Sequence, residues 1–180
     1  MPAATKVSLE EFLANPDTHY YDFHELHNGE VVEVSPPTVE HMLLQSRIEQ
    51  LLESVLGLEY TARSEFYLTL PTESRRVDVA AVRTNRLTAQ KKKVFAGAPE
   101  LVVEILSPSN TQLDVDHLRF LCLREGTLQF WVINMDLETV TVFRPGLSVA
   151  MYDRNAQAIS LSELVQNAVI PVDQVFGEES

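Results

Sequence analysis

Arg75-Arg76-Val77-Asp78-Val79-Ala80-Ala81-Val82, followed after a basic loop by Leu101-Val102-Val103-Glu104-Ile105-Leu106 and Ser107-Pro108-Ser109-Asn110, is the stretch on which the fold turns. Both apolar runs are rich in β-branched residues and too short for a helix, so each is predicted as a strand buried on both faces. Each also carries one carboxylate. An ionised Asp or Glu inside such a strand costs several kcal/mol unless a positive group or a hydrogen-bond donor meets it. Two acids in neighbouring strands repel each other, and a divalent cation between them removes the conflict. Mg²⁺ takes oxygen ligands, commonly one or two carboxylates with waters and substrate phosphates completing its shell. Asp78 and Glu104 are therefore the candidate metal pair. The competing explanation is structural: Asp78 bridged to Arg75, Arg76 or another arginine, and Glu104 capping a backbone group or lying at a sheet edge.

The whole chain, 180 residues, is read as a single domain spanning 1–180, long enough to bury a full core. Hydrophobic content of 45% and charged content of 22% belong to a globular protein, and no apolar run reaches bilayer-spanning length. Met1-Pro2-Ala3-Ala4-Thr5-Lys6 lacks the apolar core of a signal peptide, and the single cysteine, Cys122, excludes an intramolecular disulfide. The expectation is a cytoplasmic protein with a buried, inert thiol. A net charge of −12 argues against a broad basic face for nucleic acid. It leaves room for a small basic mouth, because Arg75, Arg76, Arg83, Arg86 and Lys91-Lys92-Lys93 are close in sequence to the two acids; a solvated charge run is the plainer explanation of the lysines.

Ser8-Leu9-Glu10-Glu11 is a capping-box pattern opening a short helix through Phe12 and Leu13 that stops at Asn15-Pro16. Phe23 to Leu26 and Val31 to Val34 are predicted strands around the hairpin signal Asn28-Gly29, with Glu30 immediately after the turn. Pro36-Pro37 breaks the strand. Thr38 then caps a helix running to about Leu56, where Gly57 supplies the stop. Met42, Leu43, Ile48, Leu51, Leu52, Val55 and Leu56 form its predicted inward face, and His41, in the first turn, is expected at the surface.

Tyr60 to Leu70 is predicted as a strand, with Pro71-Thr72-Glu73-Ser74 turning back into the Asp78 strand. Thr84 to Pro99 is expected to be a long polar loop forming a mobile rim. A helix from about Val115 to Glu125, ended by Gly126, presents Leu118, Leu121, Cys122 and Leu123 inward, with Arg119 the cation on its central turn. Gln129–Asn134 and Thr139–Phe143 form a hairpin through Met135-Asp136-Leu137-Glu138. A weak strand at Val149 to Tyr152 and the segments Ser160–Leu164 and Ile170–Asp173 close the chain without chemistry. Strands flanking two long helices make a mixed α/β sheet.

These segments invite comparison with a known pattern. Asn28-Gly29-Glu30-Val31-Val32-Glu33-Val34-Ser35-Pro36-Pro37 with Glu40-His41, then Arg76-Val77-Asp78-Val79-Ala80, then Ala98-Pro99-Glu100-Leu101-Val102-Val103-Glu104-Ile105-Leu106-Ser107-Pro108-Ser109, then Gln129-Phe130-Trp131-Val132-Ile133, together resemble the Uma-two family of bacterial proteins. That family belongs to the PD-(D/E)xK, restriction-endonuclease-like nuclease superfamily, and the similarity runs from about Tyr21 to Pro145. The resemblance implies a restriction-endonuclease-like mixed β-sheet flanked by α-helices, and a Mg²⁺- or Mn²⁺-dependent endonuclease acting on DNA as a homodimer. It implies that Asp78 and Glu104 hold the metal and that Glu30 orients a metal-bound water or a second ion. Val77 replaces the usual proline. Leu106 stands where most such nucleases place a lysine, and the family's own lysine, supplied from the next helix, aligns with Leu118 without a gap or with Arg119 after one deletion. Arginine keeps the charge but does not transfer protons. The alternative is a nuclease-shaped interaction or regulatory module whose catalytic site has decayed, and a weaker one is a metal-free acid and base pair of Glu30 and Glu104.

Overall fold

The computed structural model describes residues 6–15, 23–107 and 111–177, and Ser8 caps its first helix, α1 (Leu9–Leu13), through the predicted capping box. The Asn28-Gly29 turn joins strands β1 (His24–His27) and β2 (Glu30–Glu33), with Asn28 and Gly29 both at positive φ. Helix α2 (Val39–Leu56) begins at Thr38, whose side chain accepts the His41 N–H, and stops at Gly57, φ 61°, as its sequence signals require.

Two long strands follow, β3 (Tyr60–Leu70) and β4 (Glu73–Arg83), paired antiparallel from Tyr60↔Arg83 to Leu70↔Glu73 with one interruption. The segment expected to be a polar loop is instead structured: α3 (Thr84–Ala89) leads through a turn to β5 (Phe95–Ala96), which pairs in parallel with β3. Its basic residues conceal the apolar anchors Phe95 and Ala98, both buried. Strand β6 (Leu101–Ile105) carries Glu104, and α4 (Gln112–Arg124) follows, with Val115, Leu118, Leu121 and Cys122 buried. The motif residues Pro108, Ser109 and Asn110 lie outside the described residues. Strands β7 (Gln129–Asn134), β8 (Thr139–Arg144) and β9 (Ser148–Asp153) complete the main sheet. The closing elements are a small β10 (Ile159–Ser160) and β11 (Val169–Ile170) pair and α5 (Val172–Phe176).

The main sheet has nine strands in the order β2-β1-β4-β6-β7-β8-β9, with β3 on the other edge of β4 and β5 beyond it. This is the mixed α/β architecture the sequence implies. One apolar layer lies under α2 and the closing elements, including Ile48, Leu52, Val79, Val103, Trp131 and Val172. The other lies under α4, including Leu118, Cys122, Val102 and Phe130. Among the described residues no helix is long and apolar enough to cross a membrane.

One feature of the long hairpin sets up the site. Tyr60 and Ala62 pack into the α2 layer, whereas Phe66, Leu68 and Leu70, at the same parity, pack into the α4 layer. In an undisturbed strand those residues would share one face. The reversal falls at Glu65, which has φ 50° and faces Asp78 across the one gap in the β3–β4 ladder. On β4 the same change separates Val77, in the α4 layer, from Val79, in the α2 layer.

Candidate functional site

One edge of β4 is shared. Near its start it pairs with β1 at Leu26↔Ser74, and near its end with β6 through Val79↔Val103, Ala80↔Val102 and Ala81↔Leu101. Between those contacts the two neighbours diverge, and Arg75 to Asp78 line the fork. Continuing the β4–β6 register would place Asp78 opposite Glu104. The ladder stops one pair short, and the Asp78 side chain takes over: its Oδ2 accepts the Ile105 N–H at 2.6 Å. On the β1 side, Glu25 Oε1 accepts the Arg76 N–H at 3.1 Å. Acidic side chains thus satisfy backbone donors that a continuous sheet would have paired.

Asp78 Oδ1 receives two donors from α2, His41 Nε2 at 2.7 Å and Gln45 Nε2 at 2.8 Å. His41 and Gln45 are one helical turn apart and both buried. The expectation of a surface histidine is corrected here: the helix turns the face His41, Leu44, Gln45, Ile48, Leu52 and Leu56 inward and leaves Met42 and Leu43 exposed. Burial works against the His41 imidazolium, but its hydrogen bond to Asp78 and the charges of Asp78 and Glu65 outweigh it, and its pKa lies above the ordinary histidine value. Gln45 also donates to Glu65 Oε1, so one amide bridges carboxylates on two adjacent strands.

Glu104 is buried, and its Oε1 has no hydrogen-bond partner. Burial first, and the Asp78 charge second, push its carboxyl well above the usual range, against the opposing pull of Arg75. A polar atom buried without a partner marks a place where a proton or an unseen ligand is expected.

Arg75 and Glu25, whose charges reach Glu104, belong to an ionic lattice. Arg75 Nε meets Glu25 Oε2 at 3.1 Å and its Nη1 meets Glu73 Oε2 at 3.2 Å. His27 Nε2 lies 2.6 Å from Glu25 and His117 Nε2 lies 3.2 Å from Glu73, whose Oε1 also accepts the Asn28 N–H at 2.8 Å. Burial would raise the Glu25 carboxyl, but His27, Arg75 and the Arg76 N–H together hold it below the usual range.

Of the four residues singled out in the sequence, the fold brings Asp78 and Glu104 together on neighbouring strands. Glu30 is exposed on β2 and paired in register with His27. Arg119 is engaged by Asp116 at 2.9 Å, and its guanidinium lies 4.1 Å from the Phe143 ring centroid on β8, two strands from β6. The cation whose charge reaches Glu104 is Arg75. The expected basic mouth is largely neutralised: Arg76 pairs with Glu65 at 3.0 Å, and Arg86 pairs with Glu100 at 2.7 Å. Lys91 to Lys93 are exposed on the turn after α3. His41, Gln45, Glu65, Glu25 and Arg75 were not legible as a group. The one available signal was the i, i+4 spacing of His41 and Gln45, which coincides with the apolar stripe Leu44, Ile48, Leu52.

The donor set fits a hard divalent cation. Glu104 offers an unpartnered oxygen and Asp78 Oδ2 has one of its two acceptor positions left. Among the described residues no group of three His, Cys, Asp or Glu side chains is arranged to hold a metal, so the protein would supply two carboxylates and leave the rest of the shell to water and phosphate.

No curated protein matches the chain. Among solved structures, the crystal structure of a "putative nuclease belonging to DUF820" from Anabaena variabilis superposes with a TM-score of 0.82 at 25% identity, covering 94% of this chain and 97% of that one. The model of the Uma2 family, described as "Putative restriction endonuclease", matches residues 9–173. With nearly the whole sequence matched, from α1 to the start of α5, the chain belongs to the Uma2 family.

Proposed function

We propose that the protein is a divalent-metal-dependent endonuclease that hydrolyses DNA phosphodiester bonds, with Asp78 and Glu104 as the residues that hold Mg²⁺ or Mn²⁺. The observation that carries this reading is the unpartnered, buried Oε1 of Glu104 beside an aspartate whose remaining acceptor position is on Oδ2. Family membership and the nuclease-like neighbour support it. When bound, the ion would activate water for in-line attack and steady charge on the leaving oxygen. The protein's own residues do the rest. Asp78 is fixed by three donors, and the charge of Arg75 opposes the effect of burial at Glu104. Cutting both strands of a duplex needs two such sites, so the working unit is proposed to be a homodimer. The test is conversion of supercoiled plasmid with Mg²⁺ or Mn²⁺, run beside Asp78→Asn. Equal cutting by both proteins would refute the assignment.

A second reading, an interaction module with a decayed site, is favoured by one observation. The positions that would carry the family's lysine are Leu106, Leu118 in the core, and Arg119 tied to Asp116 and Phe143. It predicts no cleavage of DNA or RNA under any divalent ion.

A further inference from the structure

We propose that His41 and Gln45 are positioning residues for the metal centre: reaching from α2, they fill Oδ1 of Asp78 and so leave Oδ2 as the only oxygen through which that aspartate can bind an ion. This rests on the metal-dependent reading above and goes beyond it by assigning the outer shell and the mode of ligation. A carboxylate oxygen has about two acceptor positions. Both on Oδ1 are taken, at 2.7 Å by His41 Nε2 and at 2.8 Å by Gln45 Nε2, and one of the two on Oδ2 is taken by the Ile105 N–H at 2.6 Å. A single acceptor position remains, so Asp78 would offer an ion one oxygen.

Both donors are built into the fold. His41 and Gln45 are buried on the inward face of α2, held there by Leu44, Ile48 and Leu52 in the apolar layer below. Gln45 is an amide where a carboxylate would have been a third negative charge beside Asp78 and Glu65. Its NH₂ group has two hydrogens and donates to both acids, so it joins β3 and β4 at the place where their ladder is interrupted. The left-handed backbone at Glu65 aims that side chain at the same amide. Outer-shell partners of this kind fix the orientation of a metal-binding group, and their loss typically lowers metal affinity about 10- to 100-fold.

The test is Mn²⁺ titration of the full chain by calorimetry, with plasmid cleavage as a parallel readout and a melting curve for each variant. His41→Phe keeps a ring and loses the donor, whereas His41→Gln keeps a donor and loses the ring. A positioning role predicts that His41→Phe binds Mn²⁺ about 10- to 100-fold more weakly while His41→Gln stays near wild type. A packing role predicts the reverse order. Gln45→Leu, apolar and of similar length, is expected to fall with His41→Phe and decides the matter if the histidine variants do not fold. Wild-type affinity in both His41→Phe and Gln45→Leu overturns the proposal. A wild-type protein that binds Mn²⁺ but cuts nothing removes the nuclease reading alone, and the affinity series still decides this one. A wild-type protein that takes up no Mn²⁺ overturns both.

Discussion

Asp78 Oδ2 accepts the Ile105 N–H at 2.6 Å, so the acid of one strand completes the backbone hydrogen bonding of the strand that carries Glu104. Asp78→Ala therefore does two things at once: it removes a candidate ligand and takes the acceptor from the Ile105 N–H, from buried His41 and from one of the two hydrogen bonds of Gln45. A loss of about 1–3 kcal/mol is expected for each group left unpaired, measured by urea denaturation. Asp78→Asn keeps an acceptor for Ile105 and is expected to lose less stability, while both variants lose metal-dependent cleavage.

Glu104→Gln is expected to raise stability in the absence of metal at pH 8. Burial and the Asp78 charge hold the folded carboxyl's pKa above its ordinary value of 4.5. The folded state then keeps a proton that the unfolded chain has released, so stability is highest below pH 4.5 and falls as pH rises through the folded pKa. The amide has no proton to lose. Melting curves at pH 4 and pH 8 should show the wild type losing more of its stability than Glu104→Gln, and added Mn²⁺ should raise the melting temperature of the wild type only.

Arg75→Met removes the guanidinium shared by Glu25 and Glu73, leaving Glu25 to His27 and the Arg76 N–H and Glu73 to the Asn28 N–H and His117. Breaking a buried ion pair from one side costs about 3–5 kcal/mol, so this variant is expected to shift sharply in denaturant titration or fail to accumulate as folded protein.

Cys122 is fully buried, and burial, with the Glu104 charge adding to it, pushes its thiol up to about 12. An alkylating reagent at pH 8 should leave native protein unmodified and label one site once the chain is unfolded, as read by mass spectrometry.

Much of this fold was legible because its elements announce themselves chemically. The ends of α2 follow from Thr38 and Gly57, and β7 and β8 from unbroken β-branched and aromatic runs. The pair Asp78 and Glu104 was legible for the same reason, as charge interrupting an apolar run. His41 and Gln45 were not, since polarity in a helix's first turns signals solvent unless something buried awaits it, and the acceptor was 37 residues away from His41. The segment 84–99 reads as a loop because its basic residues look solvated, whereas Arg86 reaches Glu100 and Ala98 and lies over the Phe95 ring. Glu65 gave no sign at all: a positive φ in a long strand is a tertiary demand that no local pattern states.

The pleat reversal at Glu65 and Asp78 divides the β3–β4 hairpin into unequal halves: the distal one packs Phe66, Leu68, Leu70 and Val77 into the α4 layer, while the proximal one packs Tyr60, Ala62, Val79 and Ala81 into the α2 layer and Ala80 and Val82 into the α4 layer. Adding or deleting one residue in the distal half would displace side chains from the α4 layer alone, whereas the same change in the proximal half would exchange the sets facing both helices. Glu65 and Asp78 stand at the boundary between these halves, where a register error in either one would be felt first.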